Sequence, residues 1–155
     1  MTTAAMAIAY QDEAKIEEVA IHLFEQSCRA ATWNQVWGKL RRRNTSLQTL
    51  DDNSIHLQGA AEHFEQVELT AIVGDDGNGR SHDFDAQFRP LETHSRRRWI
   101  SIAKAMLKGG SLPPIALIKK GKQYFVQDGH HRVSVAQALG ETSIAAHVVV
   151  LDGGN

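Results

Sequence analysis

Apolar side chains near the start of the chain recur at helical spacing and predict two amphipathic helices. The first has its stripe between Ile16 and Phe24, at i, i+3, i+4 and i+7 positions within residues 12–29. Thr32 is suited to cap a second helix, whose stripe is Trp33, Val36, Trp37 and Leu40. Tryptophans one helical turn apart favour core packing over a base-stacking surface, so this second stripe is also predicted to be buried.

The middle of the chain is more polar. Residues 44–53 have the composition of a linker, residues 56–68 fit a short helix, and residues 67–73 fit a strand. The acidic and glycine-rich loop at residues 75–79 lacks the ligand spacing of a calcium loop. Residues 1–53 are therefore interpreted as a helical extension with a linker, and residues 54–155 as the main domain.

Stronger patterns follow in the second half. Thr93 or Ser95 is suited to cap a helix that ends at Gly109-Gly110, and its stripe is Trp99, Ile102, Ala103, Met106 and Leu107. Residues 115–118 and 123–126 predict a β-hairpin, residues 130–139 a helix, and residues 144–151 a last strand. These elements predict an α/β (α+β) fold with a small mixed sheet, preceded by the N-terminal helical segment.

Composition restricts the protein class. The chain has 155 residues, 42% hydrophobic and 23% charged, as in an ordinary globular protein. No apolar run approaches the ~18 residues of a membrane span, and Met1–Tyr10 lacks the basic start of a signal peptide. We expect a cytoplasmic protein without a membrane partner. Cys28 is the one cysteine, which excludes an intrachain disulfide, and its helical context favours a buried structural thiol.

The net charge of −1 conceals an uneven distribution. Residues 1–88 hold 7 Lys and Arg against 14 Asp and Glu, whereas residues 89–132 hold 10 against 2. A basic segment of this kind indicates an anionic partner, such as a nucleotide phosphate or a nucleic-acid backbone. Pairing of the basic segment with the acidic N-terminal half explains the pattern equally well.

One turn concentrates candidate chemistry: Asp128-Gly129-His130-His131-Arg132, between a predicted strand and a predicted helix. Glycine permits a tight turn, the first helical amides attract anions, and Arg132 can fork onto a phosphate. A structural alternative stays open, in which Asp128 caps the helix and Arg132 pairs with a carboxylate. Adjacent helical residues diverge by ~100°, so His130 and His131 do not predict a metal site.

Further arginines near the turn are candidates for contact with the same anion. Arg89 lies upstream, and Arg96, Arg97 and Arg98 cover most of one turn at the start of the next helix. At least one member of such a triplet faces any neighbouring site, because consecutive helical residues point in different directions.

In its second half the chain resembles the N-terminal domain of ParB-type proteins, whose fold is shared with sulfiredoxins. The resemblance covers roughly residues 67–151, and it rests on Phe88-Arg89-Pro90, Gly109-Gly110, Leu112-Pro113-Pro114-Ile115, Tyr124-Phe125-Val126, Asp128 to Arg132 and Leu139-Gly140. Short bacterial ParB-like proteins, in which such a domain follows a helical segment, are similar. Two family features are missing: the Glu-Arg pair of ParB is His130-His131 here, and an Asn-x-x-Arg signature is absent.

The resemblance implies a phosphate-binding role for Gly129 to Arg132, because the matching element in ParB proteins grips the triphosphate of CTP. It also implies that the region of Arg89 is a second phosphate-contacting segment. Sulfiredoxins have a catalytic Cys where this chain has His130, so sulfinic acid reduction is not expected. Archaeal free-serine kinases of this fold carry Asp-Gly-His-x-Arg, which Asp128 to Arg132 matches. That match implies acid–base roles for Asp128 and His130 if the protein is an enzyme.

We therefore expect a nucleotide-binding protein, for CTP or ATP, with a regulatory or DNA-associated role and Mg²⁺ arriving with the nucleotide. Two alternatives are a small-molecule kinase or nucleotide hydrolase, and a salt-sensitive DNA-binding module without a nucleotide. The N-terminal helices are candidates for packing on the domain or for homo-oligomer formation.

Overall fold

A computed structural model describes residues 12–50, 57, 60–77, 81–91 and 93–151. Its elements are α1 (Glu13–Leu40), β1 (Gln48–Thr49), β2 (Ala61–Glu68), β3 (Ile72–Asp75), α2 (Arg96–Leu107), β4 (Ile115–Lys120), β5 (Gln123–Asp128), α3 (His130–Ala138) and β6 (Ser143–Leu151). There are also two short 3-10 helices in the described residues. Leu69–Ala71 joins β2 to β3, and Ser81–Asp83 lies between β3 and α2.

The strands form one mixed six-stranded sheet in the order β1-β3-β5-β4-β6-β2. The β1–β3, β3–β5 and β4–β6 pairs are parallel, whereas the β4–β5 hairpin and the β2–β6 pair are antiparallel. This architecture confirms the predicted α/β class, the small mixed sheet and the preceding helix. The predicted hairpin, the helix at 130–139 and the last strand are confirmed within one to two residues at most ends.

Helix α3 lies at the centre of the fold. Val133 and Ala136 pack into the core formed with the sheet, and Val135 and Leu139 pack into a second core formed with α1 and α2. Because apolar positions occur on most sides of α3, the helix requires neighbours on both flanks to remove its surface from water. The layers are therefore sheet, α3, and the α1–α2 pair.

The prediction of two N-terminal helices is wrong, because α1 is one continuous 28-residue helix. The segment Arg29-Ala30-Ala31-Thr32 contains neither Gly nor Pro, and alanine is the strongest helix former. Thr32 does not cap a helix. Its hydroxyl donates a hydrogen bond to the carbonyl oxygen of Cys28 at 3.0 Å, four residues earlier in the same helix.

The prediction that the second apolar stripe is buried is also wrong. Trp33 is 65% exposed, Val36 51%, Trp37 47% and Leu40 74%. The buried positions of α1 are Ile16, Ala20, Phe24, Ala31 and Gly38. At ~100° per residue the two sets lie on roughly opposite sides of the helix, and α2 and α3 cover only the side of the buried set.

Two corrections apply to the middle segment. Residues 61–68 form a strand rather than a helix, since all eight pair with β6, and cross-strand pairing overrides the helical spacing of Phe64 and Val67. The predicted strand at 67–73 is interrupted by the 3-10 turn, so β3 begins at Ile72. Two residues of the predicted linker form β1 at the sheet edge, while the proposed division between residues 53 and 54 lies outside the described residues and stays a prediction.

Ion pairs attach the acidic part of α1 to the basic helix α2. Lys104 lies 3.2 Å from Glu13 and 3.4 Å from Glu17, and Arg96 lies 3.8 Å from Glu25. Glu13 also pairs with Lys108, and the two lysines hold the pKa of its carboxyl below the ordinary value. The structure thus bears out the alternative that the basic segment pairs with the acidic N-terminal half, for this part of the surface.

Cys28 is half-buried at the edge of the core shared by the three helices. Burial raises the pKa of its thiol, which lowers the thiolate fraction at neutral pH and with it the reactivity. This environment agrees with the predicted structural role.

A buried hydrogen bond joins α2 to α3, in which the Trp99 indole N–H donates to Ser134 Oγ at 2.8 Å. Trp99→Phe and Ser134→Ala should each lower the free energy of unfolding by about 1–3 kcal/mol, because each leaves a buried polar group without its partner. The double variant should lose less than the sum. Urea unfolding followed by circular dichroism measures the three values, and Trp99→Phe combined with the distant Lys122→Ala should be additive. Additivity of the Trp99 and Ser134 changes would contradict the coupling.

Candidate functional site

The turn from β5 into α3 is the centre of the candidate site. Gly129 occupies the N-cap position of α3 with φ 108°, in the left-handed region. A Cβ on this residue would lie 2.5 Å from Ile115 Cγ2, so both the backbone angle and the packing require glycine. As the N-cap residue, Gly129 has no side chain with which to cap the helix. The turn therefore places the positive end of the α3 dipole at the end of β5.

Arg132 in the first turn of α3 binds the protein itself. Its Nη2 donates to Asp128 Oδ2 at 2.9 Å, and its Nη1 donates to the carbonyl oxygens of Pro113 at 2.6 Å and Pro114 at 3.2 Å. These bonds hold the segment before β4 against the start of α3. Of the two alternatives from the sequence, the pairing of Arg132 with a carboxylate is the one formed in this state.

Asp128 does not cap α3. Its carboxylate pairs with Arg132, and its side chain is 67% exposed. An exposed carboxylate beside the N-terminus of a helix is free to exchange partners with an incoming anion, because solvent access keeps the cost of breaking the ion pair low.

His130 and His131 lie beneath the turn rather than on its surface, with exposures of 3% and 7%. The His130 ring stacks on Phe84 with centroids 6.1 Å apart, and His131 meets the same phenyl ring edge-on at 5.2 Å. His130 Nε2 lies 3.7 Å from Oδ2 of Asp75, a residue with no exposed surface at the end of β3. The two histidines thus support the turn from the interior.

Arg89 belongs to a separate, tightly bonded turn. Asp85, which is fully buried, accepts from the backbone N–H of Gln87 and of Arg89 and from Arg89 Nε at 2.8 Å. Phe88 within this turn has a φ of 56°, and its side chain is buried against the core. Asp85 therefore determines where the Arg89 guanidinium lies.

Arg89 and Arg132 face different cavities. Arg89 lines one of ≈ 270 Å³ with Ser134 and Gln137 of α3, whereas Arg132 lines one of ≈ 190 Å³ with Ala136. Positions 132 and 136 lie on one side of α3, and positions 134 and 137 lie more than ~90° away from them. None of the cavities lined by described residues brings the two predicted phosphate contacts together.

The arginine triplet faces α1 and solvent. The Arg96 guanidinium lies 5.8 Å from the centroid of the Phe24 ring. Arg97 lines a groove between α1 and α2. Arg98 is exposed. Within the described cavities, none of the three shares a wall with the Gly129 turn.

Sequence reasoning missed the acidic and aromatic supports of the site, Asp75, Asp85, Phe84 and Phe88. An aspartate directly after a short apolar strand was the available signal for Asp75. Among the described residues no group of three or more His, Cys, Asp or Glu side chains is arranged to hold a metal ion. No helix in the described ranges is long and apolar enough to cross a membrane.

Residues 81–154, slightly less than half of the chain, match the family model of the ParB N-terminal domain. The match contains the Asp85–Arg89 turn, the hairpin, the Gly129 turn and β6. It confirms the resemblance of this part of the chain to the ParB N-terminal domain. No curated protein matches the chain.

Gly129→Ala should destabilise the fold, because alanine is strained at φ 108° and its Cβ would collide with Ile115. We expect a loss of about 2–4 kcal/mol in the free energy of unfolding, the sum of left-handed strain and overpacking. Gly121→Ala is the matched control, since Gly121 has a φ of 63° and a Cβ added there would meet nothing within 4 Å. Chemical denaturation measures both, and equal losses would show that Ile115 does not constrain the turn.

Proposed function

We propose that the ParB N-terminal domain at residues 81–154 binds the phosphate groups of a nucleotide, CTP or ATP, at the Gly129 turn. Binding would serve a regulatory or DNA-associated role. One observation carries the proposal: the left-handed Gly129 opens a buried helix, and Arg132 in the first turn of that helix is paired with an exposed carboxylate. Backbone amides and the helix dipole attract an anion at such a terminus.

Arg132 supplies the charge in this proposal by exchanging partners. In the structure its Nη2 binds the exposed Asp128 carboxylate at 2.9 Å, while Nη1 binds the Pro113 carbonyl. A phosphate oxygen would take the place of the carboxylate on Nη2, and the Pro113 bond would keep the guanidinium in position. A charge-assisted bond to a phosphate is stronger than an exposed ion pair.

The Asp128 carboxylate released by this exchange is an oxygen ligand of the type that Mg²⁺ takes together with phosphates and water. Mg²⁺ would arrive with the nucleotide and offset the repulsion between Asp128 and the phosphate groups. The Arg89 region stays a second candidate contact, although its cavity lies on another side of α3.

Arg132→Gln should lower nucleotide affinity about ten- to hundredfold, since it removes the cation while retaining a donor for the Pro113 carbonyl. Isothermal titration with CTP, ATP, ADP and GTP, each with Mg²⁺ at ~0.15 M salt, measures the affinity. Lys122→Gln, in the exposed β4–β5 turn, removes one cation elsewhere and should leave it unchanged. Equal affinity of the Arg132 and Lys122 variants would refute the role of the turn.

An enzyme of this fold is the weaker alternative, because His130, one of its two acid–base candidates, is not placed to reach a substrate. His130 is 3% exposed and packs on Phe84 and Phe88. Release of ADP or inorganic phosphate, lost in Asp128→Asn, would favour the enzyme over the binding module.

DNA binding without a nucleotide would use the exposed start of α2. Arg97 and Arg98 are exposed, whereas Arg96 and Lys104 contact acidic residues of α1. An Arg97→Gln, Arg98→Gln variant should then reduce the slope of log affinity against log salt by about two, because each arginine that neutralises a phosphate releases about one counterion. Fluorescence anisotropy with a labelled duplex at several salt concentrations measures the slope. An unchanged slope would exclude this surface.

A further inference from the structure

The outer side of α1 carries an apolar surface at its C-terminal end, formed by Trp33, Val36, Trp37 and Leu40, here called the α1 surface. All four side chains are about half exposed or more. The two indole rings meet edge-on with centroids 6.2 Å apart. A cluster of this size is unusual on the surface of a monomer and indicates a binding site.

The spacing of the α1 surface determines the shape of partner that fits it. Positions i, i+3, i+4 and i+7 are the four corners of the depression on a helix that receives one side chain in knobs-into-holes packing. A single protruding apolar side chain on the partner would contact all four members. A flat or purely polar partner would leave much of their area in water.

The charged residues that flank the α1 surface along the chain are all basic. Residues 26–43 contain five Lys and Arg and no Asp or Glu. Arg29 lies on the same side of the helix, Lys39 and Arg42 are exposed at its end, and the Arg41 guanidinium lies 5.6 Å from the centroid of the Trp37 ring. The partner must therefore present acidic groups around its apolar side chain. Pairing of two α1 surfaces with each other is unfavourable, because the cations of both copies would be brought together.

The chain itself offers a surface with these properties on β2. Phe64 is 74% exposed. In the described part of the chain it is the one large apolar side chain outside the α1 surface that is exposed. Residues two apart on a strand share a face, so Glu62, Gln66 and Glu68 lie on the face of Phe64, and all three are exposed. We call Glu62, Phe64 and Glu68 the β2 surface. It belongs to an edge strand, which leaves room for a second molecule.

We infer that the α1 surface of one copy binds the β2 surface of a second copy, head to tail. Phe64 would fill the depression between the two tryptophans, and Glu62 and Glu68 would face the cationic rim. Because the two surfaces differ, the contact is heterologous, and each copy keeps one surface of each kind for the next. The association would give a ring or an extending chain, and it is independent of nucleotide binding at the Gly129 turn.

Complementation between two variants tests this contact with the full chain. Trp33→Ser with Trp37→Ser removes the α1 surface, and Phe64→Ser removes the β2 surface. All three residues are exposed, so folding should persist, and circular dichroism checks it. Sedimentation velocity over ~1–100 µM, a range that brackets micromolar affinity, should show association of the wild type and monomers for each variant. An equimolar mixture of the two variants should form a 1:1 dimer and nothing larger.

His22→Ser on the outer side of α1 and His63→Ser on the other face of β2 are the matched controls, and both should associate like the wild type. A second pair of variants tests the charges. A Glu62→Lys, Glu68→Lys variant should associate with itself at least tenfold more weakly than the wild type. Mixing it with an Arg41→Glu, Arg42→Glu variant should restore association. A monomeric wild type throughout the range would overturn the inference. So would association of the Phe64 variant alone, which indicates contact between two α1 surfaces, or a mixture of the two variants that stays monomeric.

Discussion

Helix α3 is enclosed on nearly every side, and this enclosure constrains all the elements around it. It packs against the sheet through Val133 and Ala136 and against the α1–α2 layer through Val135. The position at which α3 begins is also constrained, because Gly129 packs on Ile115 in a conformation that only glycine adopts without strain. A helix held from both flanks has little freedom to tilt or unwind. Groups attached to its first turn are therefore preorganised, which is what binding an anion requires.

The polar groups around α3 divide into an inner and an outer set. The inner set, Asp75, Asp85, His130 and His131, is buried and supports the turns. The outer set, Asp128 and Arg132, stands at the surface and forms an ion pair that solvent can reach. Only the outer set can meet a ligand without rearrangement of the core. The two histidines of the turn therefore belong to its support and not to its accessible surface.

Helix α1 changes the meaning of the charge distribution. Its acidic first half neutralises part of the basic surface of α2, and its second half adds a basic and apolar surface of its own. The excess of basic residues between positions 89 and 132 is thus not a single exposed patch. The basic residues that stay accessible to an anionic partner lie at the start of α2, in the β4–β5 turn with Lys122, and in the vicinity of the Gly129 turn.

Local sequence patterns were sufficient to predict several elements of this protein. The stripe of α2, the hairpin, the glycine at the start of α3 and the resemblance to the ParB N-terminal domain were predictable, because periodicity, turn residues and motif are properties of neighbouring residues. The Gly129 turn was found for the same reason. Its partners Asp75 and Phe84 were missed, since both precede it by more than 40 positions and only folding brings them together.

Which side chains are buried, and which groups they contact, depends instead on the tertiary fold. Whether Trp33 and Trp37 are buried depends on how far α2 and α3 extend along α1, and residues 61–68 form a strand because β6 provides hydrogen-bonding partners. Arg132 illustrates the same limit: its position in the motif was evident, but the carbonyl and carboxylate groups that it binds come from an approach of two segments. A pattern of apolar residues indicates that these side chains are stabilised by burial against another surface. Only the tertiary arrangement determines whether that surface belongs to the same copy of the chain.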